Sequence, residues 1–202
     1  MRSLSITPIL AGSAVIIALL GCTDQNNQNG TISRPVAFVT DHAPIEFTFP
    51  AGWREDAKQH PYDLQCIAPS QRLNTGIFAY TRDEFPSGKT PTEVFHEQIE
   101  DIGSRREDFV ELEPTKTSKR AGKTITSIAY SGKRDSSQNH YRFSLIEFDA
   151  DENTFAVVLQ VSVPREWEQA KPILQKIAQS ARLVPTESNP NEFQDATPTP
   201  TP

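Results

Sequence analysis

Residues 141–163 read YRFSLIEFDADENTFAVVLQVSV. Within Thr154–Val163, Phe155, Val157, Leu159, Val161 and Val163 fall on one side of an extended chain, and Ala156, Val158, Gln160 and Ser162 on the other. That alternation is the signature of a β-strand, whose successive side chains point to opposite faces. Tyr141–Phe148 reads as the strand before it, with Asp149–Asn153 as the tight link between the two. The apolar parity flips between Leu145 and Ile146, which predicts a bulge there. Upstream, Lys123–Ser131 and Phe109–Glu113 read as two further strands. Four consecutive strands with no helix between them exclude a doubly wound parallel sheet, where each parallel connection needs a crossover. They make an antiparallel meander.

Further toward the N-terminus, Ile45–Phe49 alternates and runs into the turn Pro50-Ala51-Gly52-Trp53. Gln65–Pro69 and Gly76–Thr81, parted by polar Ser70–Thr75, are consistent with a hairpin. Thr90-Pro91-Thr92-Glu93 supplies a Thr cap, a Pro at the first helical position and a Glu two residues later, a capping box. Phe95, Ile99 and Ile102 follow at helical spacing, and Gly103 is the predicted stop. A last helix is expected over about Arg165–Arg182, with Trp167, Ala170, Leu174, Ile177, Ala178 and Ala181 on one face. Pro172 lies inside that span, so the helix either kinks there or starts near it. Strands, helix, meander, helix is the order of an α+β fold, with helices packed on an antiparallel sheet.

The charge balance, 20 Lys+Arg against 26 Asp+Glu for a net −6, argues against nucleic acid, which demands clustered cations. Two cysteines exclude a disulfide-dense scaffold and a four-thiolate zinc site.

Residues 1–21 read as a targeting segment: Arg2 gives a positive start, and Leu4–Leu20 is an uncharged, largely apolar run. The run ends at Leu19-Leu20-Gly21-Cys22. This resembles the lipobox of bacterial lipoproteins, in which the thiol is diacylglycerated and the chain is cut just before the cysteine. A transmembrane helix is the competing reading, although the run is short for one and contains Pro8. Acylation of Cys22 would anchor the chain in membrane lipid and leave Cys66 as the single thiol. Residues 22–35 then form the lipidated cysteine and a polar Asn/Gln-rich tether, 36–184 one folded domain, and 185–202 a Pro/Thr-rich tail of disordered composition.

The segments EFTFPAGW (46–53) and VSVPREWEQAKPILQKIAQSARLV (161–184), together with the capped helix and the meander, resemble the PsbP-like and DcrB-like lipoproteins. The sharpest pieces are Phe49-Pro50-Ala51-Gly52-Trp53 and the pattern of Pro164, Trp167, Ile177 and Ser180. The resemblance implies a PsbP-like sandwich, an antiparallel sheet of about six or seven strands flanked by helices. It implies a non-enzymatic module: members include extrinsic photosystem II proteins, Ran-binding factors and envelope accessory proteins. It supplies no binding residues.

No chemistry-bearing motif stands out. There is no nucleophile elbow, and Ser131-Gly132 reads as the end of a strand. Cys66 lies in Leu64-Gln65-Cys66-Ile67-Ala68, where a buried small hydrophobe is the ordinary reading. His96 has Glu93 and Glu100 at helical spacing, too few ligands for zinc. Asp149, Asp151 and Asn153 mimic the start of a calcium loop, but Thr154 and Gln160 stand where Gly and Glu are required. Trp53 and Trp167 read as core anchors. No cofactor, metal or catalytic residue is therefore expected.

One surface feature remains. Lys116, Lys119, Arg120 and Lys123 surround the expected hairpin tip Ser118–Gly122, and Lys133 and Arg134 mark the next turn. An exposed basic tip would suit anionic lipid headgroups or an acidic partner; charge that keeps sheet edges from pairing is the alternative. The expected function is a lipid-anchored accessory module of the bacterial envelope, facing the periplasm, with an envelope protein as partner. It would sit at the outer membrane of a Gram-negative host. In a cyanobacterium it would be an extrinsic photosystem II lipoprotein facing the thylakoid lumen. A carrier or enzyme whose site no motif reveals is the remaining alternative.

Overall fold

A computed structural model describes residues 34–56, 61–85 and 88–185. The signal segment, Cys22, most of the tether and nearly all of the tail lie outside the described residues. The elements are β1 (Val36–Val39), β2 (Ile45–Phe49), β3 (Arg54–Glu55), β4 (Leu64–Ile67), β5 (Leu73–Thr81) and α1 (Pro91–Ser104). Then follow β6 (Glu107–Arg120), β7 (Lys123–Arg134), β8 (Ser137–Phe148), β9 (Asp151–Ser162), α2 (Trp167–Ser180) and β10 (Arg182–Leu183). The fold is α+β. Seven strands form one antiparallel sheet in the order β3-β4-β5-β9-β8-β7-β6, and β1-β2-β10 form a second, three-stranded sheet.

At its centre the large sheet is covered on both faces, which is why β9 is buried on both sides over most of its length. Its odd-numbered residues Phe155, Val157 and Leu159 pack with Tyr141, Phe143 and Leu145 of β8 beneath Val94, Phe95, Ile99 and Ile102 of α1. Its even-numbered residues Ala156 and Val158 join Ile77, Ala79 and Ile146 beneath Leu174, Ile177 and Ala178 of α2 and Ile45, Phe47 and Phe49 of the small sheet. The α1 start matches the sequence: Glu93 N–H donates to Thr90 Oγ1 (3.2 Å), and Thr90 N–H donates to Glu93 Oε2 (2.7 Å). Trp53 and Trp167 are buried core residues, as is Cys66.

Two fold markers have visible roles. Phe49 and Trp53 face each other across their turn with ring centroids 5.3 Å apart. Ser180, in the last turn of α2, accepts from Thr48 N–H (2.8 Å) and donates to Ile177 C=O (2.7 Å), tying the helix end to β2.

Several expectations need correction. The strand expected at Phe109–Glu113 runs from Glu107 to Arg120, and the one expected at Lys123–Ser131 continues to Arg134. Gly103 does not stop α1, which continues to Ser104. Its bare Cα makes room for the Phe109 ring, which an added Cβ would approach to 2.8 Å. The Leu145–Ile146 bulge is absent: β8 and β9 hold register from His140↔Ser162 to Glu147↔Phe155. Leu145 and Ile146 are both apolar because each serves a covered face. The shift comes one pair later, where Phe148 pairs with Asp151, so the link is Asp149-Ala150 rather than Asp149–Asn153. Arg182 belongs to β10, not to the last helix, and pairs with Glu46. Pro172 lies inside α2, preceded by a 3-10 turn at Pro164–Glu166. Its missing N–H deprives the carbonyl of exposed Glu168, where that loss is mildest.

Candidate functional site

The basic cluster around the β6–β7 tip divides in the structure. Ala121 and Gly122 both have positive φ (49° and 72°), the signature of a two-residue hairpin turn. Lys116 and Lys119 are well exposed, with carboxylates at 4.0 Å (Glu113) and 3.4 Å (Asp149). Arg120 reaches Gln179 Oε1 at 3.4 Å. Lys123 departs from the expectation: it is 7% exposed, and its ammonium donates to the carbonyl of Ala181, the residue that ends α2. Burial pushes its pKa down. Lys123 shares its strand parity with buried Ile125 and Ala129, so alternation points it inward to serve the carbonyl end of a helix. It is no part of an exposed surface.

Among the described residues, no group of three or more His, Cys, Asp or Glu is placed to hold a metal. Burial pushes the Cys66 thiol up to about 12, so it is no nucleophile at neutral pH. Asp151 accepts from Asn153 N–H at 2.8 Å, closing its own loop.

The feature that sequence spacing does not reveal is a groove of about 1290 Å³ on the α1 side of the large sheet. Helix α1 packs over β8 and β9 but leaves uncovered the part of that face reaching β5 on one side and the β7–β8 turn on the other. The floor consists of Gly76 of β5, Tyr141 of β8, and Leu159 and Val161 of β9. Tyr62 lies on Gly76, where an added Cβ would fall 2.6 Å from the ring, and packs against Phe78 with centroids 4.8 Å apart. The end of α1 and the start of β6 form another wall. There Phe109 is seated between Gly103 and Gly132 and stacks on Tyr130 at 4.5 Å.

Guanidinium groups rim this floor. Arg106 Nε donates to Tyr141 Oη (2.9 Å), Nη1 donates to the Arg105 carbonyl (2.8 Å), and the group lies 5.4 Å from the Tyr141 ring centroid. Arg105 is held by Asp101, and Arg134 lies 3.5 Å from Asp135. These cations converge on Tyr62: burial raises its pKa, while the charges of Arg106, Arg105 and Arg134 oppose the rise. Side-chain amides complete the lining, with Gln65, Asn74, Gln98 and Asn139 spread around the floor.

The opposite face holds a buried polar row. Thr75, Gln160 and Arg142 are register partners across β5, β9 and β8. Gln160 Nε2 donates to the Leu174 carbonyl at 2.9 Å, tying β9 to α2. Nearby Glu113 accepts from Lys171 (2.7 Å) and from Trp167 Nε1 (3.3 Å). Burial raises the Glu113 pKa, but Lys171 and Trp167 outweigh it and leave the carboxyl below its ordinary value. Among the described residues, Thr75 Oγ1, Gln160 Oε1 and Arg142 Nε of this row are buried without a hydrogen-bond partner.

No protein-family model matches the sequence, and no curated protein does. Solved structures do match. Cyanobacterial PsbP (CyanoP) from Synechocystis sp. PCC 6803 is 14% identical, over 82% of this chain and 99% of that one, with a TM-score of 0.56. The Ran-binding protein Mog1p of Saccharomyces cerevisiae is 11% identical, over 75% and 96%, with a TM-score of 0.53. LpqN of Mycobacterium tuberculosis, described as involved in cell envelope biogenesis, is 10% identical, over 78% and 88%, with a TM-score of 0.51. At such identities the likeness is one of fold, and on that ground the chain has the PsbP-like fold.

Proposed function

We propose that the protein is a lipid-anchored, non-enzymatic binding module of the bacterial cell envelope, tethered through acylated Cys22 and engaging an envelope protein through the α1-side groove. The observation that carries the reading is the groove itself. It is a groove left open by α1, with partly buried Tyr62, Phe78 and Val161 on its floor and arginines and amides on its rim, in a molecule whose other large-sheet face is covered. Its polar groups suit recognition better than catalysis: guanidiniums, amides and tyrosines, without an activated nucleophile beside a base among the described residues. The Leu19–Cys22 sequence supports the anchor, and no helix among the described residues is long and apolar enough to cross a membrane. Among proteins of the same fold, LpqN is tied by its description to envelope biogenesis and Mog1p to binding Ran, which supports an accessory role. In a cyanobacterial host, the likeness to CyanoP favours the photosystem II version of this reading.

The test has two parts. The intact mass of the native protein should show a chain beginning at acylated Cys22, whereas a retained leader with free thiol would overturn the anchor. A photo-crosslinker at Gln98, on the groove rim, should capture one envelope protein in intact cells, and the same group at Lys119 should not. Equal capture from both positions would overturn the groove as the contact surface.

A further inference from the structure

The chemistry of the groove specifies its partner more closely. Resting on the reading of the groove as the contact surface, we infer that its occupant is a short acidic peptide segment of another protein. That segment places one large apolar side chain on the floor and a carboxylate against Arg106.

Three observations converge. First, the floor is apolar yet open: Tyr62, which caps buried Gly76, and Phe78 and Val161 beside it remain only partly buried. Such a floor accepts an aromatic or branched side chain but encloses no acyl tail. Second, of the cations lining the groove, Arg106 is the one with no ion pair among the described residues, whereas Arg72, Arg105, Lys133 and Arg134 all have carboxylates. It is pre-positioned by Tyr141 and the Arg105 carbonyl, so a carboxylate meets a guanidinium already held in place. The carbonyls ending α1 do not repel that anion strongly, because Arg105 Nε (3.1 Å) and Ser104 Oγ (2.8 Å) both donate to the Asp101 carbonyl. Third, the side-chain amides of Gln65, Asn74, Gln98 and Asn139 offer donor and acceptor together, which matches peptide N–H and C=O groups better than phosphate or lipid.

The dimensions agree. From β5 across β9 and β8 to β7 is three strand spacings, about 14 Å, the reach of about four extended residues. Three acids, Asp101, Glu107 and Asp135, also line the groove. Asp101 and Asp135 pair with Arg105 and Arg134, and Glu107 stands opposite Lys133 in register and helps to raise its pKa, which leaves Arg106 as the anion-seeking point.

The test is fluorescence anisotropy with the full mature chain and a labelled eight-residue peptide of Asp, Glu and one central Phe. Its analogues carry Asn and Gln for the acids, or Ala for Phe. The acidic Phe peptide should bind, and each analogue should bind about tenfold more weakly or worse. Affinity should fall with added salt. Arg106→Gln should cost about tenfold, while Lys116→Gln, at the far tip of β6, should leave binding unchanged; circular dichroism verifies that both variants are folded. Equal binding of acidic and neutral peptides overturns the proposal, as does undiminished binding by folded Arg106→Gln. Binding of phosphatidylglycerol vesicles through Arg106, without peptide binding, also overturns it. Binding that appears only after Glu192→Gln, Phe193→Ala and Asp195→Asn would instead make the chain's own tail the occupant and overturn the assignment to a partner. If Gln98 captures an envelope protein but acidic peptides do not bind, the contact surface stands and only its chemistry fails.

Discussion

The two faces of the seven-stranded sheet are built from one alternating pattern and end in different states. On one face, α2 and the small sheet press Phe47, Phe49, Trp167 and Leu174 onto Ile77, Ala156 and Val158, and even the polar row of Thr75 and Gln160 is buried. On the other, α1 covers Phe143, Leu145 and Val157 and then ends, leaving Tyr62, Phe78 and Val161 partly open beside Arg106. Alternation says that a side chain points to a face; α1 and α2 are equally long, so what makes one face wholly core is the small sheet packed beside α2. An open groove arises here from incomplete cover, with no change in the sheet.

The difference can be broken from either side. The largest effect is expected at Phe47→Ala, on the covered face: a fully buried ring is lost where three elements meet, for about 3–5 kcal/mol in urea unfolding. A loss under about 1 kcal/mol would mean that this face is not the stabilising one. Next comes Gly76→Ala on the open face. The new methyl falls within 2.6 Å of the Tyr62 ring, which must lift, yet the groove gives it somewhere to go. The expected cost is about 1 kcal/mol, at the low end for overpacking, with reduced capture from Gln98. A cost above about 3 kcal/mol would show that the Tyr62 wall is rigid core.

The smallest effect sharpens the comparison by pH. His140, at the rim of the covered face against Trp167 (5.3 Å), has its pKa lowered by burial and by the Lys171 charge. A depressed folded-state pKa means that its contribution is present above the ordinary value of 6.5 and is lost as pH falls below it. His42 has the opposite sign. Its hydrogen bond to Glu84 raises its pKa, so its contribution is present below 6.5 and is lost as pH rises through the raised value. Stability measured from pH 8 to 5 should therefore fall less at the acid end for His140→Phe than for wild type; an unchanged acid slope would remove His140 from the account.

Much of this architecture was legible in the sequence, for physical reasons. The α1 capping box, the β9 alternation and the two tryptophans are local signals that tertiary packing reinforces. What escaped was set by partners distant in sequence. β1 is short, with mostly exposed side chains, and β10 continues the apolar pattern of α2, so neither carries a periodic signal of its own. Leu145–Ile146 resembled a bulge because a strand covered on both sides has no polar face to keep the count. Lys123 was grouped with its charged neighbours, although its parity with Ile125 already placed it inside. The groove was invisible because its parts have no common spacing: Arg106 meets Tyr141 across 35 residues, and Gly103 and Gly132 meet on one ring of Phe109.

The edge strand β1 carries a mechanical consequence. It is held by four pairings to β2, and of its side chains Phe38 alone is packed, 5.6 Å from Phe49. Tension arriving along the chain from before Val36 meets this weakly packed strand first, and can peel it off while Phe47 and the main sheet stay intact. Release pays out roughly 13 Å of slack from four residues. Under the proposed anchor at Cys22, that slack would add to the distance the body can reach.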